Sequence, residues 1–206
     1  PYVRINSAGT LALTDYPQNS DILSDANGIQ RHRGFVFPGG NTRPEDLAAI
    51  FSDDTSEEYR PIQNEVMRHD IVVIKSCYPN SNIRSDEELT MIKNHYQAIA
   101  GFFAGHKKKL IILTSPPLTP LMTKPERADR ARRLADWLAS SELGETARVF
   151  DLFDILAASS GTKHANMLKQ DYRRWLPFDS HPNPRASQEI APRLVRFLQD
   201  AEDENK

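Results

Sequence analysis

Cysteine is nearly absent: Cys77 stands alone among 206 residues, which excludes an internal disulfide framework and leaves the redox compartment open. No apolar run approaches the ~20 residues of a membrane span. Net charge is almost absent too, with 28 acidic against 26 basic side chains, so composition gives no sign of a nucleic-acid or membrane partner. The six histidines are scattered, without His-x₃-His or paired-cysteine spacing, and no metal is expected. Pro38-Gly39-Gly40-Asn41 lacks both the P-loop lysine and the spacing of a dinucleotide loop, so no cofactor is expected either. There is no internal repeat and no linker-like shift in composition. The basic runs Lys107–Lys109 and Arg127–Arg133 read as solvated faces.

What is present is an alternation of β-branched runs and amphipathic stretches. Ile71 to Ile74 is an unbroken apolar run, which predicts a strand buried on both faces of a parallel sheet. It ends in small polar residues, Ser76, Cys77, Asn80, Ser81 and Asn82, broken by Pro79. In an open parallel sheet such residues emerge where ligands bind, at the carboxyl ends of the strands. Ser85-Asp-Glu-Glu88 matches a capping box, and Leu89, Ile92, Tyr96, Ile99 and Phe103 recur at helical spacing behind it. Leu110 to Leu113 is a second apolar strand, and Pro125 opens a helix whose stripe is Ala128, Ala131, Leu134, Ala135 and Leu138.

Earlier in the chain, Tyr2 to Ile5 is a short strand candidate, Asn6 to Gln30 reads as mostly loop, and Gly34 to Phe37 is a brief strand. Pro44 begins a helix with Leu47, Ile50 and Phe51 inward, and Tyr59 to His69 forms another with Ile62, Val66 and Met67 inward. Later, Val149 to Phe153 reads as a strand and Ile155 to Leu168 as short helix or loop. A last helix carries Ile190, Leu194, Val195 and Leu198, and Ala201 to Lys206 reads as a charged, frayed tail. Strand and helix alternation predicts one three-layer α/β sandwich with a parallel central sheet.

Several residue types at the predicted strand ends carry chemistry. Asp179-Ser180-His181 offers a base with a carboxylate two residues away, able to fix the imidazole tautomer and stabilise imidazolium. A surface histidine capped by its neighbour is the structural alternative. Backbone N–H at Gly40 and an amide at Asn80 or Asn82 are donors of the kind that stabilise an oxyanion. A glycine turn and a helix-entry cap are the structural alternatives there. Cys77 is either a small packed hydrophobe or a thiol nucleophile paired with His181.

Taken together, Asp70 to Ile83, Gly39-Gly40-Asn41-Thr42 before a helix, the loop from Thr114 to Leu118, and Asp179-Ser-His-Pro-Asn183 before the last helix resemble the SGNH, or GDSL-type, hydrolase superfamily. The resemblance runs from about Phe37 onward. It implies a flavodoxin-like sandwich, a Ser, Asp and His triad, and an oxyanion hole from the serine N–H, a glycine and an asparagine. By position Gly40 matches the glycine, Asn80 or Asn82 the asparagine, His181 the base and Asp179 the orienter. The activity implied is hydrolysis of a small-molecule or carbohydrate ester through an acyl-enzyme.

There are three departures. The acid lies two residues before the histidine rather than three, Cys77-Tyr-Pro-Asn-Ser-Asn82 replaces the usual glycine–asparagine signature, and no Gly-Asp-Ser block occurs. Ser7 is the candidate serine near the start. Because Pro1 is not a natural initiating residue, the leading expectation is that the first strand, its serine and the first helix precede it, with Tyr2 to Ile5 as the second strand and Ser7 as the alternative. A non-catalytic binding module of the same fold is the competing expectation.

Overall fold

The computed structural model describes residues 43–145 and 147–203, together with the backbone of four short strands within the first 42 residues. The chain divides into two compact units, 1–40 and 41–206. In the first, β1 (Tyr2–Ile5) pairs antiparallel with β2 (Leu11–Thr14), Tyr2 opposite Thr14. There β3 (Leu23–Ser24) pairs antiparallel with β4 (Gln30–Arg31). Two expectations bear on this unit, of which the one for Tyr2–Ile5 is corrected. Tyr2–Ile5 belongs to a local hairpin and not to the parallel sheet, and Asn6 to Gln30 holds strand segments too short for periodicity to reveal. The expected strand at Gly34–Phe37 lies outside the described residues, as do Ser7 and Gly40.

The second unit starts with α1 (Pro44–Ile50), entered by proline at its first position and carrying Glu45 and Asp46 in the first turn. Leu47, Ile50 and Phe51 are buried as expected. In α2 (Arg60–Val66) the inward residues are Val66 and, unexpectedly, Gln63, while Ile62 and Met67 are only half-buried. Gln63 donates through Nε2 to the carbonyls of Ile50 at 2.8 Å and Ser52 at 2.7 Å. These are acceptors that the end of α1 leaves without helical partners.

Next come β5 (Ile71–Lys75), α3 (Asp86–Gly105), β6 (Lys109–Leu113), α4 (Pro125–Ala139) and β7 (Ala147–Phe150). The three strands form an open parallel sheet in the order β5-β6-β7, with Ile71 opposite Lys109 and Leu113 opposite Phe150. Successive βα units explain that order, since a helical crossover returns each strand beside its predecessor. Central β6 is buried along Leu110 to Leu113, whereas β5 alternates between buried and half-buried residues. The expectation of a strand buried on both faces therefore holds for β6 and fails for β5, which among the described residues has a strand neighbour on one side only.

α3 starts as its capping box requires, with Glu88 N–H donating to Ser85 Oγ at 3.2 Å. The Glu88 carboxylate accepts from Arg84 N–H at 2.6 Å. Its five expected core residues and the five expected in α4 are all buried.

The strand expected to reach Phe153 stops at Phe150. Asp151 instead caps α5 (Leu152–Leu156), its Oδ1 accepting from Asp154 N–H at 3.0 Å. The final helix, α6 (Pro184–Asp203), takes in residues 201–203 of the segment expected to fray. Its buried residues are Ala186, Leu198 and Ala201, while Ile190, Leu194 and Val195 are half-buried. Phe197 packs on Phe150 at 5.4 Å between ring centroids, and Lys109 Nζ reaches the Ala201 carbonyl at 3.4 Å. α6 is thereby anchored to the sheet near both its middle and its end.

Candidate active site

Four connections converge at the carboxyl end of the parallel sheet, and hydroxyl groups tie them. From the loop after β5, Ser81 Oγ donates to the Pro116 carbonyl at 2.8 Å. From the loop after β6, Thr114 Oγ1 donates to Asp151 Oδ1 at 3.0 Å and accepts from Phe153 N–H at 2.7 Å, fixing the turn into α5. Thr119 binds the segment before α6 twice: its N–H donates to Ser180 Oγ at 3.0 Å, and its Oγ1 donates to the Pro177 carbonyl at 2.9 Å. Ser76, Ser81, Thr114, Thr119 and Ser180 are all buried. A buried hydroxyl is stable only when hydrogen-bonded, so each of these side chains is committed to holding the rim together.

This clamping places Asp179 and His181. Asp179 Oδ1 accepts from His181 N–H at 2.9 Å and lies 2.6 Å from His181 Nδ1. One carboxylate oxygen therefore fixes both the backbone and the ring of the same residue. These bonds from His181, with Arg174 at 3.7 Å from Oδ2, hold the Asp179 carboxyl below its usual range. The imidazole is more than half exposed, and its other face meets Tyr78 edge-on, the ring centroids 4.7 Å apart. Tyr78 opens a one-turn 3-10 segment, Tyr78–Ser81, directly after Cys77. The β5 loop and the histidine loop are therefore in contact, as the position of these polar residues at the strand end leads one to expect.

Behind the histidine, Asn183 anchors the loop. Its Nδ2 donates to the carbonyls of Asp171 at 2.8 Å and Arg173 at 3.1 Å, and its Oδ1 accepts from Ala186 N–H at 3.1 Å as the cap of α6.

The two asparagines differ. Asn82 Oδ1 faces Thr123 Oγ1 at 3.2 Å and Arg127 NH1 at 3.5 Å. Arginine has only donors, so the amide oxygen points at α4 and the NH₂ group is left to donate elsewhere. Asn80 is half-buried, its N–H donating to the Cys77 carbonyl at 3.0 Å. Cys77 is half-buried with a free thiol. Burial holds the nearby Lys75 ammonium below its usual range, with Cys77 acting in the opposite direction. Ser76 Oγ lies 2.8 Å from the hydroxyl of Tyr96, and burial pushes that phenol up to about 12.

Sequence reasoning paired Asp179 with His181 and missed Tyr78, whose only signal was an aromatic residue three places beyond the end of β5. It also missed Thr119 and Asn183 as clamps. A separate cleft of about 290 Å³ opens beside Tyr172, lined in part by Lys169, Asp171 and Arg185. Its cations are already engaged: Lys169 donates to the Ile155 carbonyl at 2.7 Å, and Arg185 lies 3.4 Å from Asp171.

Among the described residues, no group of three or more His, Cys, Asp or Glu side chains could hold a metal ion. No family model matches this chain, and neither the curated proteins nor the solved structures include a match.

Proposed function

We propose that this chain is an ester hydrolase of the SGNH type, built on a three-layer flavodoxin-like sandwich and acting through an acyl-enzyme on a short acyl group such as acetate carried by a carbohydrate. The observation that carries the reading is the Asp179–His181 pair at 2.6 Å, exposed at the carboxyl end of a parallel sheet and set against the β5 loop. With Nδ1–H donating to Asp179, Nε2 is left to take a proton from an attacking hydroxyl and return it to the leaving alkoxide. The carboxylate stabilises the imidazolium formed between those steps.

Gly40 N–H and the amide of Asn80 or Asn82 supply the oxyanion donors in this reading. Asn82 is the better placed, because Thr123 and Arg127 turn its oxygen away and leave its NH₂ to donate. Ser76, Ser81 and Ser180 are committed to structural bonds. The nucleophile in this reading is Ser7, which lies outside the described residues, or the half-buried thiol of Cys77.

A non-catalytic glycan or small-ligand module of the same fold is the second reading. It is favoured by one observation: among the described residues, no hydroxyl or thiol is hydrogen-bonded to His181. Labelling with a fluorophosphonate, followed by peptide mapping and repeated on His181→Ala, separates the two. Labelling of the chain that vanishes in the variant is the expected result for the hydrolase, and its site identifies the nucleophile. Turnover of an activated ester falls at least ~10²-fold in the same variant. A chain that no fluorophosphonate labels, and whose ligand affinity survives His181→Ala, is a binding module.

A further inference from the structure

Five large apolar side chains stand in solvent on the two loops that Thr119 joins. Trp175 is 88% exposed, Phe178 66% and Leu176 44% on the segment leading to His181, and Leu121 is 63% and Met122 41% exposed on the segment after β6. Their backbones are held while their tips are not: Thr119 bonds to Ser180 and Pro177, and Met122 N–H donates to the Thr119 carbonyl at 2.9 Å. Apolar side chains gathered in this way on clamped loops mark a contact surface rather than scattered surface residues.

The chemistry of the patch selects its partner. Leu121, Met122 and Leu176 offer a sugar neither a ring face nor a polar atom, whereas aromatic and aliphatic tips together suit the boundary between lipid headgroups and acyl chains. Charge agrees. Residues 169–185 carry Lys169, Arg173, Arg174 and Arg185 against Asp171 and Asp179, in a chain whose formal charge is −2. Lys124, exposed beside the Leu121–Met122 tip, adds to that local excess. No helix among the described residues is long and apolar enough to cross a membrane, so an attachment through this patch is peripheral.

We infer that this edge of the molecule docks on an anionic lipid surface, with Trp175 and Phe178 entering the headgroup layer and Lys124 and Arg174 facing the lipid phosphates. The docking requires no chemistry at His181 and stands apart from the hydrolase reading.

The test uses the whole 206-residue chain with vesicles of phosphatidylcholine alone or with about one-third phosphatidylglycerol. It measures co-sedimentation together with tryptophan emission. Trp137, the other tryptophan, is half-buried and in a cation–π contact with Lys93 at 5.1 Å, so it provides a constant background. Expected are binding to the anionic vesicles, a blue shift from Trp175, and weakening as salt screens the lipid charge. A Trp175→Ser/Phe178→Ser chain, shown to be folded by circular dichroism, should bind about 100-fold more weakly, roughly tenfold for each aromatic removed. The inference is overturned if vesicles bind neither chain, if both bind equally, or if Trp175 emission answers to a soluble oligosaccharide or to self-association and not to vesicles.

Discussion

The rim of the sheet has two sides built from similar residues and used in opposite ways. On the inner side, Ser76, Ser81, Thr114, Thr119 and Ser180 are buried and each hydroxyl has a partner. On the outer side, Asp179, His181 and Tyr78 reach solvent and are arranged around a single imidazole. A hydroxyl near a catalytic-looking histidine is therefore not a nucleophile by proximity. In this molecule the buried hydroxyls spend their hydrogen bonds on architecture, and the titratable groups that could move a proton are on the wet side.

The widest separation between the two sides is expected in alkali. Tyr96 has a folded-state value of about 12 against an ordinary value near 10, so its contribution to stability is whole below pH 10, is lost as pH rises through the folded value, and is constant above it. Two units correspond to roughly 3 kcal/mol. In urea titrations at stepped pH, the difference between the native chain and Tyr96→Phe should shrink by that amount between about pH 10 and 12. A constant difference would mean that Ser76 and Tyr96 are not the buried pair described.

On the outer side, Asp179→Asn should lower ester turnover by about 10²-fold, because an amide oxygen no longer stabilises imidazolium and its NH₂ group selects the wrong tautomer. In the acid limb, the depressed Asp179 carboxyl contributes stability above the ordinary aspartate range that disappears as pH falls through its folded value. The Asn variant should lack that part of the acid profile.

The smallest effect is on the inner side. Ser180→Ala orphans the Thr119 N–H and should cost about 1–3 kcal/mol in urea unfolding. Its turnover should change far less than that of Asp179→Asn. A Ser180→Ala chain of full stability but no activity would reverse the assignment of the two sides.

Much of this organisation was legible in the residues. The stripes of α3 and α4, the proline entries at Pro44 and Pro125, the capping box at Ser85 and the apolar runs of β5 and β6 are strong local signals that tertiary packing agrees with. The Asp179–His181 pair was legible because two residues suffice to form it. Less was visible where the partner is distant in sequence. Gln63 looks like a surface residue until the end of α1 supplies its two carbonyls. Asp151 interrupts an apolar stretch that reads as strand, and only its cap on α5 shows why the strand stops. In α6, the alanines at 186 and 201 are buried as deeply as Leu198 and more deeply than Ile190, Leu194 and Val195, because small side chains permit close approach. The apolar edge at Trp175 and Phe178 escaped composition altogether, since net charge and mean hydropathy average away a local patch.

The clamps at the rim share one more property. Two of them end on proline carbonyls, Pro116 and Pro177, and the same loops contain Pro79, Pro117, Pro120 and Pro182. Proline restricts φ before the chain folds, so these loops begin with fewer conformations to lose. Part of the ordering of the histidine loop is thus invested in the unfolded chain, and the hydroxyl clamps close on segments whose backbone is already close to the shape they require.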